Sequence, residues 1–135
     1  MLYILQGNPR ELCRARTGNN SALFWEESKR ARQNARNELE RQHDDAPIFT
    51  GQFPLRLVAT FYMPFPATMS HNRKLISENM FHILAPTPDD LLRFVLDIGH
   101  GVLYRHPSII AEMHIRKLCS FDTRTEIEIE EIHNG

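Results

Sequence analysis

Residues 55–62 constrain the fold more than any other stretch of the chain. Leu55, Leu57, Ala59 and Phe61 alternate with Arg56, Val58, Thr60 and Tyr62. The period of two is that of a β-strand, and both faces are largely apolar. Such a strand is expected to lie inside a sheet and to be covered on both sides.

The rest of the chain supplies the covering elements. Residues 2–6, LYILQ, read as a short strand ended by Gly7 and Pro9. Residues 7–22 form a polar loop carrying Arg10, Arg14 and Arg16. From residue 24 to 43 the chain holds no Gly or Pro and is rich in good helix formers. Trp25, Ala31, Ala35 and Leu39 form a narrow apolar stripe there, beside Lys29, Arg30, Arg32 and Arg36. Residues 70–84 read as a short helix followed by an exposed loop. A further helix should start at Thr87, with Pro88 at its first position and Asp90 three residues after the cap, and should stop around residues 99–101. In it Leu91, Leu92, Val95 and Ile98 make an apolar face beside a polar stripe of Asp90, Arg93, Asp97 and His100. Residues 108–118 read as a strand with Ile109, Ala111, Met113 and Ile115 on one face. Residues 125–132, TEIEIEEI, give a last strand that is polar on one side. The order β–α–β–(loop)–α–β–β predicts a small single α/β domain over residues 1–135, a mixed sheet with packed helices.

Composition agrees with one ordinary globular domain: 135 residues, 41% hydrophobic and 24% charged. No apolar run approaches the ~18 residues of a membrane span, and the first residues lack the basic lead of a secretory signal. Cys13 and Cys119 fit neither a metal spacing nor a disulfide framework, so a reducing cytoplasm is the expected setting. The net charge of −1 is unevenly spread, +3 over residues 1–43, 0 over 44–85 and −4 over 86–135. A basic front and an acidic rear suit a protein that binds an anion on one face, and ordinary solvated surface charge accounts for so small an imbalance equally well.

No nucleophile motif, phosphate-binding glycine loop or CxxC pair is present, which leaves acids, histidines and arginines to carry any chemistry. Asp89 and Asp90 at a helix start, with Arg93 one turn on, invite two readings. Acids at a helix N-terminus complement its dipole, and Asp89–Arg93 is an i,i+4 pair. The same group also suits a divalent-metal site in which carboxylate oxygens hold Mg²⁺ beside a phosphate.

The run TPDDLLRFVLDIGHGVLYRHPSIIAEMHIRK is similar to the signature of the RusA-type Holliday junction resolvases. Pro86, Asp89, Leu91, Phe94, Leu96, Asp97, Gly101, Ile110 and Lys117 stand at matching positions without a gap. Gly7 and Pro9, followed by Arg14-Ala15-Arg16, resemble the family's opening and its arginine motif. Met63-Pro64 and Ser70 resemble its connecting loop, so the likeness spans nearly the full chain. It implies a RusA-like fold, a homodimer, Mg²⁺ dependence and action on branched DNA. Carried over by position, it makes Asp89 and Arg93 the catalytic residues and Asp89 a metal ligand, with Asp90 and His106 as the candidate replacement ligands. Nucleic-acid contacts fall to Arg14, Arg16, Arg73 and Lys74.

The departures lie at ligand positions. The family's first metal-site aspartate aligns with Thr87, its helix lysine with Arg93, and its Asp-Asp pair with His106-Pro107. Thr87 offers a neutral hydroxyl and Pro107 no side-chain ligand, while Asp90, His106 and Glu112 are the available substitutes. The expected function is therefore binding of branched DNA with weak or lost Mg²⁺-dependent cleavage. The alternatives are an active divergent endonuclease using Asp89, Asp90 and substitute ligands, and a non-catalytic oligomeric scaffold.

Overall fold

The computed structural model describes residues 1–12, 21–44 and 46–133, and the backbone alone for residues 21–25. In chain order the elements are β1 (Leu2–Gln6), α1 (Ser21–His43), β2 (Leu55–Met63), α2 (His71–Ile76), α3 (Pro88–Gly99), β3 (Ile110–Cys119) and β4 (Arg124–Glu131). A single 3₁₀ turn, Pro107–Ile109, leads into β3. The four strands form one mixed sheet in the order β1-β4-β2-β3. β4 runs antiparallel to both β1 and β2, and β2 and β3 are parallel. The parallel pair forces the long crossover that carries α2 and α3.

β2 is an interior strand, as its apolar alternation requires. Leu55, Leu57, Ala59, Phe61 and Met63 are buried, and they join Leu39 of α1, the buried residues of α3, and Ile127 and Ile129 of β4 in one core. The second face is covered by side chains of the sheet itself. Arg56, Val58, Thr60 and Tyr62 face a layer of charged side chains instead. Arg56 reaches Glu112 on β3 and Glu130 on β4, each at 2.7 Å. Arg116 donates to the Thr60 hydroxyl at 3.1 Å, and the Arg124 guanidinium stacks 3.7 Å from the centre of the Tyr62 ring. Long cationic side chains shield the apolar parts of this face with their stems while their charged ends stay hydrated. That is how a two-faced apolar strand is accommodated in a two-layer domain.

α3 buries Leu91, Phe94, Val95 and Ile98, the i, i+3, i+4, i+7 stripe of a helix lying on a sheet. α1 is tied to it by side chains. Arg32 pairs with Asp97. Arg36 donates to the carbonyls of Asp97, Ile98 and His100 at 3.3, 3.5 and 2.9 Å, satisfying acceptors that a helix end leaves open. Arg32 and Arg36, the cations beside the apolar stripe of α1, are thus engaged in joining the two helices. At the other edge, Gln42 accepts from Ile4 N at 2.8 Å and donates to Ile4 O at 2.6 Å, covering polar groups on the open side of β1.

α3 ends in a turn that needs its glycines. Gly101 sits at φ 82° and donates to Tyr104 O at 2.8 Å. The fully buried Tyr104 ring lies against Gly99, and its hydroxyl donates to Leu96 O at 2.7 Å. A Cβ on Gly99 would fall 2.7 Å from that hydroxyl oxygen and 2.9 Å from two ring carbons. Gly99→Ala should therefore destabilise by about 1–2 kcal/mol, overpacking outweighing the ~1 kcal/mol helix preference for alanine. Urea denaturation reads this, and a variant at least as stable as wild type would contradict the packing described.

Candidate metal and nucleic-acid site

The start of α3 is positioned from two sides. Its apolar stripe rests on the sheet, and the segment before it is strapped to the edge strand β3. Asn79 N donates to Cys119 O at 2.8 Å, Cys119 N to Met80 O at 2.8 Å, and His82 N to Lys117 O at 2.9 Å. Lys117 closes the strap. Its ammonium donates to Leu84 O at 2.5 Å and to Pro86 O at 2.6 Å, and burial pushes its pKa below the usual lysine value. A lysine among apolar residues at the inner end of a strand is a signal for such a tether, because a buried ammonium requires acceptors. From sequence Lys117 stood out only as a family match.

Asp89 is exposed on the first turn of α3. Its carboxyl is held below the usual range, first by a hydrogen bond from the Thr87 hydroxyl, then by the backbone amides of Asp89 and Asp90 and the nearby Arg93 charge. Thr87 occupies the N-cap position with extended backbone, but its side chain makes no capping bond. Thr87 is therefore the cap residue by its backbone conformation, as expected, without the side-chain bond. Asp90 is half-buried and Arg93 exposed on the same helical start.

The other candidate ligands lie apart from this turn in role or orientation. His106 is exposed, and its Nδ1 accepts from Ser108 N at 3.0 Å, capping the 3₁₀ turn. Its ring stands edge-on to His100 at 5.2 Å between centroids. Glu112 is held by Arg56 on the face of the sheet away from the helices. Among the described residues, no group of three or more His, Cys, Asp or Glu gathers closely enough to hold a metal ion.

Of the predicted nucleic-acid contacts, Arg73 is exposed and Lys74 half-buried on α2, whose N-cap Ser70 accepts from Arg73 N at 3.3 Å. Arg14 and Arg16 lie outside the described residues. Between the strap and β3 lies a shallow cavity of about 440 Å³, bordered by Phe81, Ile83, Leu84, Thr87, Arg116 and Lys117. Cys119 is a free, buried thiol.

The model of the family described as endodeoxyribonuclease RusA matches residues 6–130. The chain belongs to the RusA endodeoxyribonuclease family. Among curated proteins it is similar to YqaN of Bacillus subtilis (strain 168), itself described as uncharacterized, with 26% identity over 95 residues. That match covers 67% of this chain and 66% of the relative, a little under two thirds of its length. Family membership agrees with the small mixed-sheet domain described above. Among the described residues, no helix is long and apolar enough to cross a membrane.

RusA endonucleases are generally dependent on a divalent metal. Magnesium takes hard oxygen ligands in near-octahedral array. The donor set gathered here does not fit that demand: Asp89 and Asp90 share the first turn of α3, and among the described residues no group of three or more His, Cys, Asp or Glu is close enough to hold the ion.

Two outcomes test this local geometry. Thr87→Val should raise the Asp89 carboxyl pKa towards the ordinary 3.8, followed by side-chain NMR titration. The sign is that of a depressed acid, whose stabilisation is present above its unfolded pKa and lost as pH falls through the folded value. The variant should therefore lose Asp89 ionisation at a higher pH than wild type, and an unchanged titration would contradict the Thr87–Asp89 bond. Lys117→Met should cost about 1–3 kcal/mol by leaving two carbonyls unpaired. Equal stability in chemical denaturation would show that the strap does not depend on the ammonium.

Proposed function

We propose that this RusA-family chain is a cytoplasmic, DNA-junction-associated protein. It binds branched DNA as a homodimer and has weak or lost Mg²⁺-dependent endonuclease activity. The observation that carries the reading is the state of Asp89. Of the carboxylates that the resemblance makes metal ligands it is the one retained at its own position, and among the described residues no group of three or more His, Cys, Asp or Glu gathers closely enough to hold a metal ion.

The chain's own residues support binding better than cleavage. Arg73 and Lys74 on α2, with Arg14 and Arg16 of the N-terminal loop, are the cations assigned to phosphates. Arg93, exposed beside Asp89, would meet a phosphate at the helix start, where the backbone dipole also favours an anion. Asp89 and Asp90 on that turn oppose close approach of the same phosphate unless a cation lies between them. This opposition is why loss of ligands should weaken cleavage more than it weakens binding of the surrounding backbone.

A labelled four-way junction tests the reading. Binding should weaken steeply with salt, and Arg73→Ala with Lys74→Ala should lower the salt slope by about 2. Wild-type protein should cleave little with Mg²⁺ or Mn²⁺, and restoring acids by Thr87→Asp with Pro107→Asp should raise cleavage by about tenfold or more. Rapid metal-dependent cleavage by wild type would establish the active alternative, with Asp89, Asp90 and His106 as ligands. Binding insensitive to both salt and the arginine-loop and α2 substitutions would favour the scaffold.

A further inference from the structure

Phe121 lies in the connection from β3 to β4, and 53% of it is exposed. The chain nevertheless holds it firmly. The Glu78 carboxylate accepts from Ser120 Oγ at 2.6 Å and from Phe121 N at 3.0 Å, and Ser120 N donates to Met63 O at 2.9 Å. The Phe121 ring packs 4.8 Å from the Phe65 ring between centroids, tilted by 55°, and 6.3 Å from the ring of His71. An aromatic ring on a fixed backbone, with half its surface open, meets a ligand at little ordering cost.

Topology brings positive charge to the same place. β2 and β3 are parallel and end at Met63 and Cys119, so the residues that follow them lie at one end of the sheet. Phe65 follows β2, Phe121 follows β3, and Lys117 ties the segment before α3 to that end through Pro86 O. His71 is the first residue of α2, and Arg73 and Lys74 follow it on that helix. The nearby acids are already engaged: Glu78 by the two bonds above, and Asp122 by Arg124 at 3.4 Å. Any apolar side chain would serve an aliphatic partner. Aromatic rings beside cations are the combination that holds a base by its face and its phosphates by their charge.

From this arrangement we infer that Phe121, backed by Phe65, is a stacking platform for an unpaired nucleobase, with Arg73 and Lys74 on the phosphates that flank it. The inference rests on the DNA-binding reading and adds to it the feature that is recognised. Bases inside a duplex arm are stacked on their neighbours and offer no face to Phe121. A base in a single strand, or unstacked at a branch, does.

Fluorescence anisotropy of the full chain with a labelled four-way junction, a fully paired duplex and an oligothymidylate tests it. Wild type should bind all three DNAs. Phe121→Ala should weaken oligothymidylate binding by about tenfold and duplex binding by less than about twofold, and Phe121→Trp should bind both as wild type does. A fluorescent base analogue in the single strand should be quenched by wild type and not by Phe121→Leu. Should Phe121→Ala lose the wild-type circular dichroism, Phe121→Leu, which keeps bulk against Phe65, decides the affinities as well. Single-strand affinity unchanged in Phe121→Leu, or an equal loss on the duplex, would overturn the inference and leave the DNA-binding reading standing. A lower sedimenting mass of Phe121→Leu without DNA would overturn it by marking the ring as a protein contact. Wild type that binds none of the three DNAs would overturn both.

Discussion

The seating of α3 on the sheet governs the rest of this structure. Leu91, Phe94, Val95 and Ile98 descend into the core formed by Leu55, Leu57, Ala59 and Phe61 of β2, which sets the height and rotation of the helix. That seating determines where Thr87, Asp89, Asp90 and Arg93 stand. Arg36 on the carbonyls at one end of α3, and Lys117 on the carbonyls just before the other, keep the helix from sliding along the sheet. Both contacts place a cation on open acceptors, where charged donors form the stronger hydrogen bonds. The Gly99–Tyr104 contact then leaves no room for the last turn to shift.

Scaffold and chemistry separate along this helix. Leu91, Phe94, Asp97, Gly101 and Lys117, read from sequence as matching the family signature, have physical work in packing, helix pairing, turning or strapping. Positions 87 and 107 carry no structural demand for an acid. A threonine at 87 satisfies the extended N-cap backbone and supports Asp89, and a proline at 107 suits the first residue of a 3₁₀ turn. Both residues suit the local backbone, and neither side chain offers a hard cation a carboxylate oxygen.

Much of the fold was legible because periodicity reports burial directly. The β4 alternation of Thr125, Ile127 and Ile129 against Glu126, Glu128 and Glu130 gave both the strand and its buried face, and β1 and α3 emerged with nearly their observed limits. Periodicity does not say what lies on a face. The apolar Val58 and Tyr62 on the second face of β2 indicated cover on that side, but not that the cover is Arg56 and Arg124 from within the sheet. The roles of Arg32 and Arg36 were hidden for the same reason, since an exposed arginine on one helix reads alike whether it meets solvent, phosphate or a neighbouring helix end. Around the candidate site, the residue types were visible and their hydrogen-bond directions were not. Whether the Thr87 hydroxyl caps the helix depends on a rotamer, which no spacing rule supplies.

The central claim is that the start of α3 keeps the fold of the RusA family without gathering a divalent-metal site. Paramagnetic broadening by Mn²⁺, read residue by residue in amide NMR spectra of the free protein, addresses that claim at the site itself. The account predicts weak, non-saturating broadening spread over the acidic surface, with Asp89 and Asp90 no more affected than Glu128 or Glu130. Saturable broadening centred on Asp89, Asp90 and His106 at low Mn²⁺ would contradict it and establish a working metal site.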